Sequence, residues 1–264
     1  MKIELTGKTA IVTGSGQGIG FAIGKRLAEA GAAVVLHDRT EERTAQAAER
    51  LRSLVPGASV TGVAADLATA AGAEALGRAV ERTDILVNSL GVFNPKPFLE
   101  IEDADWMRTF EINVMSGVRM SRRYLPGMIK ANWGRIIFMS SESAFQIPPE
   151  MVHYGMTKLA VLAVSRGLAE LCAGTGVTVN SVLPGPTASE GVMDFVYKLN
   201  PGSTRTREEL LDEFVRQDRP TSILRRATTP EEVANMVVYL CSPLASATTG
   251  AAVSVDGGTR RSIA

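Results

Sequence analysis

The stretch Thr13-Gly14-Ser15-Gly16-Gln17-Gly18-Ile19-Gly20 decides the fold. It follows Thr9-Ala10-Ile11-Val12, which reads as a buried strand, and precedes Phe21 to Ala30, whose apolar residues recur at helical spacing until Gly31. A strand, a glycine loop and a helix in that order form a phosphate cradle. Glycine lets the backbone turn tightly and approach a ligand closely, and the unpaired N–H groups of the helix's first turn point at an anion. Alone, such a cluster also suits an ordinary tight turn, so the rest of the chain has to decide.

Outward from the loop, strand-like and helix-like segments alternate. Ala32 to Leu36 reads as a second strand ending at His37-Asp38-Arg39, and Glu41 to Leu54 as a helix closed by Pro56-Gly57. Val60 to Ala65, running into Asp66-Leu67, is a third strand, followed by a helix over Ala70 to Arg82. Asp84 to Asn88 is the fourth. After Ser89-Leu90-Gly91 and a loop holding Pro95 and Pro97, the spacing predicts one continuous helix from about Asp103 to Lys130. Strand five covers Gly134 to Ser141, a helix runs from about Val152 to Ala173, and strand six spans Val177 to Leu183 before Pro184-Gly185-Pro186. From Thr187 to Thr229 no strand is expected, only two helical pieces, Val192 to Leu199 and Arg207 to Arg216, broken at Asn200-Pro201-Gly202. A helix from Pro230 to about Leu240 and a strand over Ala251 to Val255 complete the pattern.

Strands separated by helices call for crossover connections, and near-continuous apolar strands call for a sheet covered on both faces. The expected fold is therefore α/β, a Rossmann-type doubly wound parallel sheet of about seven strands, with residues 1–264 in a single domain. In such sheets ligands bind beyond the carboxyl ends of the strands. Those ends carry Gly14, Asp38, Asp66, Asn88, Ser141 and Pro184-Gly185.

Composition narrows the function classes. Lys plus Arg (28) balances Asp plus Glu (28), so no net charge steers the chain toward nucleic acid or an anionic membrane. Cys172 and Cys241 lie far apart, without metal-ligand spacing, in apolar helix-like runs where free cysteine behaves as a small buried hydrophobe. No metal site is expected. No run approaches the ~20 apolar residues of a membrane span, and Met1-Lys2-Ile3-Glu4 opens no segment of signal-peptide character. The expectation is a soluble, cytoplasmic protein.

A second carrier of chemistry is Tyr154-Gly155-Met156-Thr157-Lys158, which puts Tyr154 and Lys158 on one helix face, one turn apart. A lone pair of this kind is usually just a solvated face. Here it opens the helix after strand five, whose end bears Ser140 and Ser141, so a phenol, an ammonium and a hydroxyl can meet at the ligand edge. A phenol of unperturbed pKa ~10 is a poor base at neutral pH. An ammonium at ~4 Å would favour the phenolate by roughly 4 kcal/mol at an effective dielectric near ~20.

In order and in separation, Thr13 to Gly20, Asp66-Leu67, Asn88 to Gly91, Asn113, Ser141, Tyr154 with Lys158, Pro184-Gly185 and Asp256-Gly257-Gly258 resemble the signatures of the short-chain dehydrogenase/reductase family. The resemblance covers nearly the whole chain apart from about Thr187 to Arg226. It implies hydride transfer between a nicotinamide cofactor, NAD with NADP as the alternative, and a secondary alcohol or ketone. Tyr154 would be the general acid/base, Ser141 would orient the reacting oxygen, Lys158 would lower the Tyr154 pKa and bond the ribose, and Asn113 would hold a relay water. The family's serine position relative to the tyrosine selects Ser141 over Ser140. Cofactor contacts would come from Gly14, Ser15, Gln17, Gly18, Ile19, Gly20, Asp38, Arg39, Asp66, Leu67, Asn88, Gly91, Tyr154, Lys158, Pro184, Gly185, Thr187 and Ser189. The resemblance also implies a small-molecule substrate and a homotetramer or homodimer. An epimerase or dehydratase with retained cofactor, and a cofactor-sensing protein without turnover, are the alternatives.

Some positions carry more specific expectations. Leu90 stands where the family usually has a small residue close to the cofactor. Thr187 and Ser189 either contact the carboxamide or cap the helix beginning near Gly191. His37 lines the adenine pocket or faces solvent, His153 packs at its helix start, and Arg119 to Arg123 forms a solvated basic face. The segment from Thr187 to Thr229 exceeds ordinary loop length and has apolar surface to bury. It is expected to form a lid over an apolar pocket, with Phe145 and Ile147 as walls on the other side, favouring a medium or bulky hydrophobic substrate.

Overall fold

The apolar strands assemble side by side, the central ones buried on both faces and the edge strands partly exposed, because the helices between them return the chain to the same sheet. In the computed structural model, which describes residues 2–200 and 202–261, the strands are β1 (Thr9–Val12), β2 (Ala33–Asp38), β3 (Val60–Ala64), β4 (Ile85–Asn88), β5 (Gly134–Met139), β6 (Val177–Pro184) and β7 (Ala252–Val255). They form one seven-stranded sheet in the order β3-β2-β1-β4-β5-β6-β7, and all pairings are parallel. The α-helices among the described residues are α1 (Gly18–Glu29), α2 (Glu41–Leu54), α3 (Ala70–Ala79), α4 (Asp103–Phe110), α5 (Ser116–Lys130), α6 (Val152–Leu171), α7 (Glu190–Leu199), α8 (Arg207–Asp218) and α9 (Pro230–Cys241).

Alternation along each strand sends residues to opposite faces. Ala10 and Val12 of β1 join the core under α1, α2 and α9, while Ile11 joins the core under α3, α5 and α6. Both cysteines are free and buried, as their apolar surroundings predict. Strand order reverses between β1 and β4, where Val12 pairs with Leu36 on one side and Val87 on the other. Beyond this point the chain turns away in opposite directions and leaves a crevice at the carboxyl ends.

One expected element differs. The helix from Asp103 to Lys130 is interrupted by a π-helical turn over Glu111–Met115, between α4 and α5. Such a turn adds a residue to the helical circuit and commonly marks a functional position. Here it carries Asn113, and Ser116 Oγ bonds back to the Ile112 carbonyl at 2.6 Å. The segment after β6 forms α7 and α8 with a small core of its own, Val196, Leu210, Leu211, Val215 and Ala227, edged by Phe195 and Phe214. Pro201, in the expected break between them, lies outside the described residues.

Candidate active site

The crevice opens into a cavity of about 640 Å³ running from the glycine loop, past Asp38 and Asp66, to Ser141, Tyr154 and Lys158, with Val192 and Phe195 of α7 and Phe214 of α8 on its far side. Gly14 begins the loop at φ +63°, and a Cβ there would lie 2.8 Å from the Leu90 Cα. Only glycine lets the loop sit this close to the Ser89–Gly91 turn. Thr13 locks the same two segments together, its hydroxyl accepting from the Ser89 N–H at 3.0 Å and the Leu90 N–H at 3.1 Å. Leu90 packs part of its side chain against the core and still borders the cavity.

His37 supports the loop and borders the cavity beside Asp38 rather than facing solvent. It is buried, its Nδ1 accepts from the Gly14 N–H at 3.2 Å, and its Nε2 lies 3.0 Å from the Ala65 carbonyl. Acting as acceptor at one nitrogen and donor at the other, it is a neutral imidazole, and burial pushes its pKa below the ordinary value. Ser15 is likewise interior. Its hydroxyl donates to the Val12 carbonyl at 2.7 Å and accepts from the His37 N–H at 2.8 Å, so its side chain braces the loop instead of lining the cavity.

At the start of α1 the cradle already holds an anionic group. The Gly18 N–H donates to Glu190 Oε2 at 2.9 Å, and Arg50 Nη1 lies 3.7 Å from the other carboxylate oxygen. Glu190 sits in the first turn of α7, so a carboxylate from the far side of the crevice occupies the place where a helix N-terminus favours negative charge. The strand-end carboxylate Asp38 accepts from the Arg39 N–H at 2.7 Å and pairs with Arg43 Nε at 3.1 Å. Asp66 Oδ1 accepts from the Ala68 N–H, and Leu67 is buried. Arg119 is not a solvated cation: it donates to the Ala68 carbonyl at 3.0 Å and pairs with Glu111, fastening the Asp66–Ala68 turn to the π-helical turn.

The wall that carries the expected catalytic residues comes from the end of β5 and the first turns of α6. Ser140 Oγ donates to the Lys158 carbonyl at 2.7 Å and is thereby structural. Ser141 Oγ accepts from the Ser143 N–H at 3.1 Å and donates to Glu142 Oε2 at 2.5 Å. Lys158 Nζ is buried and donates to the Met139 carbonyl at 2.9 Å, 5.5 Å from the centre of the Tyr154 ring. A Cβ on Gly91 would lie 3.2 Å from this ammonium, so the small residue leaves the approach to Lys158 open. Burial lowers the Lys158 pKa to about 8, against the pull of Glu142. The Tyr154 phenol moves the other way. Burial raises it most and the Glu142 charge raises it further, while the Ser141 hydroxyl bond and Arg219 oppose them. In the protein alone, burial sets the direction of the Tyr154 shift, contrary to the expected lowering by Lys158.

Asn113 and Asn88 stand behind the wall rather than on it. Asn113 Nδ2 donates to the Val92 carbonyl and to Thr157 Oγ1, and its Oδ1 accepts from the Val92 N–H at 2.8 Å. The widened π-helical turn aims this amide inward, where it fixes the segment that presents Phe93. Asn88 Nδ2 bonds Ser121 Oγ at 3.3 Å. Thr187 bonds the Gly185 carbonyl and Thr228 Oγ1, while Ser189 is the N-cap of α7, accepting from the Val192 N–H. Both hydroxyls are committed to local structure although both residues border the cavity. His153 packs edge-on to Trp106 at the start of α6, as expected.

Phe145 and Ile147 do not line the cavity. They are roughly half exposed, and the Arg260 guanidinium covers the Phe145 ring. The aromatic wall is instead Phe93 against Tyr154, Phe195 against Phe93 and Phe214 against Phe195, each pair edge to face with centroids 5.8 to 6.3 Å apart. Sequence reading missed Glu142, Arg219 and Glu190. An acidic residue set among Ser140, Ser141, Ser143 and Ala144 directly after an apolar strand is the one local signal for Glu142. Arg219 and Glu190 meet their partners only through the fold.

The family model described as enoyl-(acyl carrier protein) reductase matches residues 14–260. The chain belongs to the short-chain dehydrogenase/reductase family. It is 48% identical over 263 residues to the uncharacterized oxidoreductase YvaG of Bacillus subtilis (strain 168), covering 100% of both chains. It is 34% identical to the 3-oxoacyl-[acyl-carrier-protein] reductase FabG of Aquifex aeolicus (strain VF5), over 98% of this chain and 99% of that one. Among solved structures, the L-sorbose reductase of Gluconobacter frateurii complexed with NADPH and L-sorbose superimposes with a TM-score of 0.93 at 32% identity, covering 100% of both chains. As a member of this family the protein is an NAD(P)-dependent oxidoreductase acting on alcohol and ketone groups. The glycine-lined cradle and the carboxylate bonded at the α1 N-terminus fit a dinucleotide's pyrophosphate.

Proposed function

We propose that the protein interconverts a secondary alcohol and its ketone, with Tyr154 carrying the proton and Ser141 fixing the reacting oxygen. The observation behind this reading is that Ser141, Tyr154 and Lys158 line one end of the cavity that the glycine loop opens at the other. The nicotinamide cofactor supplies or accepts the hydride when bound. Gly14, Gln17, Gly18, Ile19 and Gly20 would hold its pyrophosphate, Asp38 and Arg39 its adenosine ribose, and Asp66 and Leu67 the adenine side. Gly91 and Lys158 would take the nicotinamide ribose, and Pro184, Gly185, Thr187 and Ser189 the carboxamide edge. Ser15, Asn88 and Asn113 act from behind by fixing the loop, the end of β4 and the Val92–Phe93 segment.

In the reductive direction the Tyr154 phenol gives its proton to the developing alkoxide, and the Lys158 ammonium favours the phenolate that remains. Phe93, Phe195 and Phe214 give the substrate an apolar wall, with α7 and α8 acting as a lid that excludes water. A medium or bulky hydrophobic ketone suits that wall. Asp38 can accept from ribose hydroxyls and repels a 2′-phosphate, which favours NAD. Arg39 and Arg43 border the same cavity and temper the repulsion, leaving NADP as a slower alternative. Under this reading the enzyme works in the cytoplasm as a homotetramer or homodimer.

A panel of ketones and alcohols, followed by nicotinamide absorbance with both cofactors, tests the proposal. Branched or aromatic ketones with NADH should turn over fastest. Faster reduction of small polyhydroxy ketones would overturn the apolar assignment, and equal or better use of NADPH would overturn the cofactor preference.

A further inference from the structure

Glu142 is a charged side chain of the catalytic wall to which the reaction as described assigns no task. It is buried, and its carboxylate divides between two partners: Oε2 accepts from the Ser141 hydroxyl, and Oε1 accepts from Arg219 Nε at 3.3 Å. A serine hydroxyl has one proton. With that proton on Glu142 and the Ser143 N–H bonded to Ser141 Oγ at 3.1 Å, Ser141 is held in place before any substrate arrives, free to accept from an alcohol hydroxyl, while a ketone oxygen takes the Ser141 proton by displacing Glu142.

Arg219 belongs to the other side of the crevice. It follows α8, its own N–H closes the last turn on the Val215 carbonyl, and its Nη1 donates to the Asp218 carbonyl. Its guanidinium lies 5.5 Å from the centre of the Phe214 ring. The α7–α8 segment has its own small core, and Arg219 puts its charge directly onto the catalytic wall.

We infer that Glu142 is a positioning residue for Ser141, and that its largely buried ion pair with Arg219 is a pin that holds the α8 end of the α7–α8 segment down on the catalytic wall. This rests on the roles proposed above for Ser141 and Tyr154. A buried pair loses most when one member is removed, because the other charge stays uncompensated. The charged groups near Tyr154 are Glu142 from the turn after β5, Arg219 after α8 and Lys158 from α6, with Arg108 and Glu111 elsewhere along the cavity. Glu142 and Arg219 act on the phenol with opposite sign.

Two readouts on Glu142→Gln and Arg219→Leu test the inference. The first is hydrogen exchange of the α7 and α8 amides in the cofactor-free protein, which needs no substrate. Exchange should quicken by about fivefold or more in both variants, as expected for a segment whose local opening the pair opposes. Unchanged exchange in both would overturn the pin. The second is the pH profile of alcohol oxidation with the best substrate of the panel, where the rising limb reports the Tyr154 phenolate. Glu142→Gln should move that limb to lower pH and Arg219→Leu to higher pH, with cofactor affinity kept within about twofold. A general structural loss would move both limbs together, and that result would overturn the positioning role. If the wild type turned over no member of the panel, the proposed reaction would fail, while hydrogen exchange would still decide the pin.

Discussion

A buried imidazole and a missing Cβ join Thr13 and Ser15 in holding the glycine loop. Gly14→Ala would put a side chain at φ +63° and 2.8 Å from the Leu90 backbone. The expected cost is about 1–3 kcal/mol, read as a lower denaturant midpoint, together with loss of cofactor binding by fluorescence titration. A variant of unchanged midpoint and affinity would contradict the close approach. His37 gives a pH signature. Its folded pKa is depressed by burial, whereas the unfolded chain has a histidine near ~6.5. The unfolded state therefore binds the proton more readily, and the stability contributed by neutral His37 is complete above ~6.5 and is lost as pH falls toward the folded value. Thermal melts should show the wild type losing its advantage over His37→Gln on acidification through that window. A difference independent of pH would rule out the neutral imidazole. From sequence, Gly14 was legible because its chemistry lies in its own type and position. His37 was legible only as lining the adenine pocket or facing solvent, because the choice depends on how Ala65 and the loop close around it.

Elements carry the contacts that lie far apart in sequence. The α1 N-terminus and the first turn of α7 meet through the Gly18 N–H and Glu190, so α7 touches the glycine loop's helix directly. A bound pyrophosphate would compete for that N–H. Glu190→Gln should therefore tighten cofactor binding about three- to tenfold, the range left to a charge-assisted hydrogen bond after solvent screening. Weakened binding in an equilibrium titration would instead make Glu190 a cofactor ligand. The alternation of strands and helices was readable because hydrophobic period follows from backbone geometry. The π-helical turn in the helix expected over Asp103 to Lys130 was not readable. Its residues keep an unbroken helical pattern, and the extra residue in the circuit is settled by the inward contacts of Asn113 with Val92 and Thr157. Phe145 and Ile147 show a related limit, since a loop's apolar residues carry no sign of which side they will face.

At the scale of the molecule, the sheet's switch point makes one crevice, and two helices after β6 form one side of it. Replacing Gly191 to Gln217 with a flexible linker should raise substrate KM or abolish turnover while leaving cofactor affinity within a few-fold. Unchanged turnover across the panel would show that the segment is not a lid. Leu159 and Leu171 are exposed on α6, where Arg166 and Glu170 also pair in solvent. Light scattering at micromolar concentration should accordingly give the mass of a dimer or tetramer, and a monomeric mass would refute the association. Assembly was the least legible property, because an exposed leucine alone does not distinguish an interface from ordinary surface. The central claim concerns the proton carried by Tyr154, and Tyr154→Phe tests it most directly by keeping the ring and removing the hydroxyl. Steady-state reduction of the best ketone should fall by ~10² to 10⁴ with cofactor affinity nearly unchanged, whereas near-wild-type turnover in that variant would contradict the assignment.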